Sequence, residues 1–203
     1  MIRGLPSEFR PPKIPAGTRA LLFDCDGTLV DTQGLYRICW RQVLGRHGFE
    51  MSEEWFDIWA GYSMEPFLRA ALPDADERLI QDIARQGIEL FLESTHLLEP
   101  LEHVVAIARE YHGRIPIAVV SGGPRDAVLE SLKAVGVSDL FDIVVTADDV
   151  PNGKPAPDCY LLAMELLKVT ADHCVAYEDS SSGMAAASAA GIRFIVDVRR
   201  FEA

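Results

Sequence analysis

Apolar residues fall along this chain in two rhythms. Short aliphatic and β-branched runs recur near Ala20 to Phe23, Pro116 to Val120, Ile143 to Thr146, Cys174 to Tyr177 and Arg193 to Val196, with turn-forming residues between them. Helical patterns separate these runs, and such alternation predicts an α/β fold built on a doubly wound parallel sheet. Between Thr32 and about Leu98 the rhythm changes. Apolar positions there keep helical spacing through Leu35 to His47, Trp55 to Trp59, Pro66 to Ala71 and Leu79 to Phe91, with breaks at Gly48, Gly61 and Pro73. The interval predicts a small all-helical cap, residues 33–98, inserted after the first strand of a core made of residues 1–32 and 99–203. No internal repeat or low-complexity segment interrupts this plan, although Ala185 to Ala190 is rich in alanine within one helix.

The chemistry gathers where the strands end. Asp24 and Asp26 stand two residues apart as an apolar strand runs into Gly27-Thr28. Residues i and i+2 of a strand point the same way, and in open α/β sheets the carboxyl ends of the strands border the ligand crevice. One carboxylate can attack while the other handles protons. Taken alone, Asp-x-Asp-Gly-Thr is also an ordinary turn after a buried strand.

Three later segments add to it. Ser121-Gly122-Gly123 closes another strand and precedes a helix from about Arg125 to Val135. A hydroxyl and bare amides there can grip a phosphate, although a plain strand-to-helix turn has the same look. Lys154 sits in Gly153-Lys154-Pro155-Ala156-Pro157, ahead of a helix near Asp158 to Leu167. A single lysine is by default solvated surface, but this chain has only Lys13, Lys133, Lys154 and Lys168, and the prolines stiffen the frame. Glu178 and Asp179 follow the run Cys174 to Tyr177 and precede a Ser/Gly turn into a helix ending near Gly191. Adjacent acids at a strand end suit a hard cation such as Mg²⁺, with Asp24 as a further ligand; helix capping is the plainer account of either one.

Together, in this order and across nearly the whole chain, the four segments resemble the haloacid dehalogenase superfamily of aspartate-nucleophile phosphotransferases. The resemblance implies that Asp24 attacks phosphorus to form an aspartyl-phosphate and that Asp26 serves as general acid and then as base. It implies that Ser121, Gly122 and Lys154 bind the phosphoryl group. It also implies Mg²⁺ as cofactor, organised by Asp24, the Asp26 carbonyl, Glu178 and Asp179. Gly-Lys-Pro-Ala-Pro-Asp and Glu-Asp-Ser-x-x-Gly look most like the β-phosphoglucomutase-like group and its sugar-phosphatase relatives.

Departures from that group narrow the activity. Tyr36 stands where mutases usually carry a cap histidine, and Met64 stands where an arginine usually follows the Gly-x-Ser seen here as Gly61-Tyr62-Ser63. A mutase needs a cationic clamp for its second phosphate. The cap has no lysine, against a phosphonate hydrolase that works through a cap lysine, and Asp26 speaks against a dehalogenase. The expectation is a Mg²⁺-dependent phosphatase of a small phosphorylated metabolite, a sugar phosphate first, with a phosphosugar mutase as the alternative. A non-catalytic ligand-binding domain is the contrasting class. Trp55, Phe56 and Trp59 read as cap core rather than as a sugar platform. Arg37, Arg41, Arg69 and Arg85 are candidates for a second anionic group or plain solvated faces, and His47 and His96 receive no role.

Charge and cysteine usage then limit partners. A formal net charge of −12 disfavours nucleic acid and anionic membrane. Cys25, Cys39, Cys159 and Cys174 lack metal-ligand spacing and read as reduced, buried thiols; Cys25 should turn away from the flanking aspartates. The opening Met1 to Thr18 lacks an apolar core and does not read as a signal peptide, and no run approaches the ~20 apolar residues of a bilayer span. A cytoplasmic monomer acting on a small phosphate ester is expected. Links near Thr32 to Gly34 and Leu98 to Leu101 should let the cap open and close.

Overall fold

The computed structural model of the chain describes residues 13–60, 62 and 64–202. The opening segment up to residue 12, and Gly61 and Ser63 of the Gly61-Tyr62-Ser63 segment, lie outside the described residues.

Five strands, β1 (Ala20–Phe23), β2 (Ile117–Val120), β3 (Ile143–Val145), β4 (Cys174–Glu178) and β5 (Phe194–Asp197), form one sheet in the order β3-β2-β1-β4-β5, parallel throughout. Period-two alternation sorts their side chains. Leu21, Phe23, Ile117, Val119, Val175 and Tyr177 enter one buried cluster, while Ala20, Leu22, Ala118, Val120, Cys174 and Ala176 enter the other. Helices α5 (Glu102–Tyr111) and α6 (Arg125–Ala134) cover the first face; α7 (Asp158–Leu167) and α8 (Ser181–Ala189) cover the second. That is the doubly wound α/β architecture the strand-helix alternation anticipates. Cys25 belongs to the first cluster with Leu21 and Phe23 and is fully buried.

The strand bounds differ from the sequence reading at their ends. Strand β4 runs one residue further, to Glu178, because Glu178 still pairs with Asp197. An acid therefore ends the ladder, with 0% of its surface exposed.

Between β1 and β2 come four helices with a core of their own: α1 (Gln33–Gly45), α2 (Glu53–Trp59), α3 (Met64–Ala71) and α4 (Glu77–Glu93). Ser52 caps α2 by accepting from the Trp55 amide, and Asp76 caps α4 by accepting from the Leu79 amide. Ile80, Ile83, Gly87 and Phe91 make the buried stripe of α4. At Gly87 the Trp40 ring of α1 lies so close that a Cβ would overlap it, so glycine sets the spacing of α1 and α4.

The chain enters and leaves this helical insertion side by side. Val30 bridges Pro100, the Asp31 amide donates to the Glu99 carbonyl at 2.9 Å, and the Leu101 amide donates to the Leu29 carbonyl at 2.9 Å.

Candidate active site

Parallel pairing brings the carboxyl ends of β1, β2 and β4 to one edge, and β1 sits at the middle of the sheet with β2 and β4 beside it. The chain runs outward from β1 through β2 to β3 and then crosses back to β4 on the other side of β1, the reversal that opens a crevice. Asp24 follows β1, Ser121 follows β2, Glu178 ends β4 and Asp179 follows it. The segment after β3 delivers Lys154.

Lys154 is 2% exposed and its ammonium finds an acceptor for each of its three protons. The Nζ lies 2.7 Å from Asp24 Oδ1, 2.6 Å from Glu178 Oε1 and 2.9 Å from the Val120 carbonyl. Burial opposes the charge, but the carboxylates of Asp24 and Glu178 outweigh it and raise the lysine's pKa, so it stays protonated. The Tyr160 hydroxyl of α7 donates to the same Glu178 Oε1 at 2.6 Å.

Asp24, Glu178 and Asp179 offer carboxylate oxygens that all lie within 4.8 Å of one another. Burial is the largest cause of the raised pKa of both acids on β4. It lifts Glu178 to about 7 against the pull of Lys154, and lifts Asp179 to about 8 with help from the charges of Asp24 and Glu178. One ammonium does not balance this group. The Gln33 side chain at the start of α1 donates to Asp179 Oδ2 at 2.6 Å, and Gly27, at φ +79°, leaves the room for that contact because a Cβ there would strike both groups.

The carboxyl of Asp26 lies apart from that trio. The Ser121 hydroxyl donates to its Oδ2 at 3.3 Å and accepts from the Gly123 amide at 3.0 Å. Burial, then the neighbouring charge of Asp24, raises the Asp26 pKa to about 6, with the hydroxyls of Thr32 and Ser121 and the Lys154 ammonium pulling the other way. Cys25, between the two aspartates, is pushed well up by burial and then by both of them, which leaves an unreactive thiol.

Above these groups lies a cavity of about 100 Å³. Its floor includes Asp24, Asp26, Gly122, Gly123 and Asp179, and its roof comes from the helical insertion. The roof bears on two points of the sequence reading. Trp55, Phe56 and Trp59 belong to the core of the insertion, as that reading expects, with Trp55 packed against Phe49 and Phe67; Phe56 and Trp59 line the cavity as well. Arg37, Arg41, Arg69 and Arg85 do not reach it: they pair with Glu53 and Asp57, with Glu53, with Glu65 and Glu77, and with Asp82 and Glu89.

The sequence reading did not find Gln33 or Tyr160. Gln33 contacts a residue 146 positions away, a contact no local pattern encodes; Tyr160, the lone hydroxyl-bearing residue of α7, was the one visible signal.

The model of the haloacid dehalogenase-like hydrolases matches residues 21–196, a span holding all these groups. The chain belongs to that family. Among curated members of this hydrolase family it is 38% identical to the fructose-1-phosphate phosphatase YqaB of Escherichia coli, over 88% of this chain and 95% of that protein. It is 35% identical to the phosphorylated carbohydrates phosphatase of Thermotoga maritima, over 88% of this chain and 84% of the relative. Among solved structures, CbbY from Rhodobacter sphaeroides in complex with phosphate superposes with a TM-score of 0.78 at 28% identity, over 88% of this chain and 85% of that one. Membership and these relatives make the chain a phosphoric monoester hydrolase. Among the described residues no helix is long and apolar enough to cross a membrane.

Proposed function

We propose that this hydrolase cleaves small phosphorylated carbohydrates through a covalent intermediate on Asp24. The observation that carries the reading is Lys154, buried and bonded to Asp24 at 2.7 Å, beside an Asp26 whose pKa is raised to about 6. The ammonium holds the Asp24 carboxylate in place for attack. Asp26 stays protonated close enough to neutral pH to serve as an acid.

An Asp24 oxygen forms a bond to phosphorus as the bond to the ester oxygen breaks, and Asp26 gives that oxygen its proton. The ionised Asp26 then takes a proton from water, the water oxygen bonds to phosphorus, and Asp24 leaves. Splitting the displacement in two lowers each barrier. Ser121, the Gly122 amide and Lys154 hold the phosphoryl oxygens and neutralise the charge they gain, the main source of rate in phosphoryl transfer.

The residues fit Mg²⁺: three buried carboxylates with hard oxygen donors face one ammonium, and Asp179 is held at a raised pKa as long as no cation balances it. Asp24, Asp179 and the Asp26 carbonyl would hold the ion, with Glu178 contributing while it anchors Lys154. Bound there, Mg²⁺ would screen the repulsion between the nucleophile and the phosphate. The helical insertion, residues 33–98, acts as the cap that closes over the substrate. The carbohydrate assignment draws on relatives that act on fructose 1-phosphate and on phosphorylated carbohydrates. The enzyme works as a cytoplasmic monomer without nucleic acid.

The stereochemical course at phosphorus tests the mechanism. A phosphorothioate ester made chiral with an oxygen isotope and hydrolysed in water of a second isotope should give thiophosphate with net retention, as two successive in-line displacements require, and Asp24→Asn or EDTA should stop phosphate release. Net inversion would rule out the covalent route.

A further inference from the structure

The roof of the cavity carries information about the substrate that the catalytic floor does not. Tyr36 and Trp40 from α1, Phe56 and Trp59 from α2, and Tyr62 and Met64 beyond them present aromatic and apolar surface. Among the described residues, the lining includes no arginine, lysine or histidine. The insertion does not lack cations. Arg37 is held by Glu53 and Asp57 and lies over the Phe56 ring at 5.0 Å, and Arg41, Arg69 and Arg85 are likewise engaged by acids. A neighbouring opening that shares Gln33, Ala60, Asp179 and Ser180 has one cation, Arg199. That guanidinium bonds both Asp197 oxygens at 2.8 Å, and Asp31 and Asp57 line the same opening.

We propose that this enzyme selects phosphate monoesters whose remaining portion is uncharged, a sugar or polyol with a C–H face for the aromatic roof, and discriminates against esters with a second anionic group. The inference rests on the phosphatase reading above and specifies its substrate. A sugar's C–H face loses little on leaving water for an aromatic wall, and two of the lining residues, Tyr36 and Tyr62, carry a hydroxyl as well as a ring. The Tyr36 ring is itself set by stacking on Phe91, with centroids 4.1 Å apart and planes 8° from parallel. A carboxylate or second phosphate carried to the same wall would be dehydrated with no counter-charge.

The test compares kcat/KM for sorbitol 6-phosphate and 6-phosphogluconate, which differ only in CH₂OH against carboxylate at one end, and for fructose 1-phosphate and fructose 1,6-bisphosphate. The uncharged member of each pair should be favoured by about 10- to 100-fold, the cost of an unpaired charge at a partly open site. A Met64→Arg variant should narrow both ratios by raising activity on the anionic member. Equal or reversed preference in the parent enzyme overturns the inference and leaves the phosphatase reading standing. Ratios that Met64→Arg does not move would also overturn it, since the roof would then not be the discriminating wall. Absence of turnover on all four esters and on acetyl phosphate would sink the phosphatase reading and this inference with it.

Discussion

Replacing Asp179 with asparagine should stabilise the protein when no divalent cation is present. Burial, then the charges of Asp24 and Glu178, raise the Asp179 pKa from 3.8 to about 8. A carboxyl whose folded pKa lies above its unfolded one favours folding fully below the unfolded value, and that contribution is lost as pH rises through the folded value. At pH 7.5 the gap corresponds to at most about 5 kcal/mol at 1.36 kcal/mol per unit. Glu178 and Asp179 titrate together, so removing one charge relieves only part of it, and about 1–2 kcal/mol is expected. Asparagine retains an oxygen for the Gln33 amide, so the contact at 2.6 Å is not the variable being changed. Urea unfolding in EDTA should show the variant more stable at pH 7.5, with the difference down to about a third at pH 5 and gone below the unfolded value. In excess Mg²⁺ the order should reverse, because the parent gains a ligand the variant lacks. A variant no more stable than the parent at pH 7.5 in EDTA would refute the picture of an acid cluster awaiting a cation.

Lys154→Met removes the ammonium from Asp24 and Glu178, and a buried pair broken on one side costs about 3–5 kcal/mol; denaturant unfolding at neutral pH, where both acids are ionised in the unfolded chain, measures it. Gly87→Ala drives a methyl into the Trp40 ring and should cost about 1–3 kcal/mol of overpacking, visible as a lowered Tm with altered tryptophan fluorescence. With Asp26 as the acid, kcat/KM for alkyl phosphates should fall as pH rises through a value at or below about 6, since a bound cation lowers it further. Aryl phosphates, whose leaving groups need less protonation, should lose less over the same range, and equal pH profiles for the two ester types would argue against that role.

Much of the core was legible because its signals are local. Leu21, Leu22 and Phe23 form a strand on their own apolar content, and Asp24 and Asp26 are placed by continuing it, so sequence spacing became spatial arrangement. The roof was less legible. Trp55, Phe56 and Trp59 share one short helix with a single aromatic pattern, and only the packing of α2 against α1 and α3 decides that Trp55 faces Phe67 while Trp59 faces the cavity. The arginines carry the same lesson: charge is visible in sequence, but Glu53 neutralises Arg37 and Arg41 across a helix boundary that sequence spacing does not resolve.

The paired backbone where the insertion begins and ends has a consequence for how such an enzyme changes over generations. With Val30 bridged to Pro100 and Leu101 bonded to Leu29, the sheet meets the four helices as a loop whose ends already touch. The entropy of closing a loop grows only logarithmically with its length, about 0.6 kcal/mol per doubling. Helices can therefore be lengthened, trimmed or exchanged wholesale at this junction while β1 and the aspartates beyond it keep their places. New specificity is then reached by grafting a different roof onto an unaltered reaction centre, without rebuilding the chemistry.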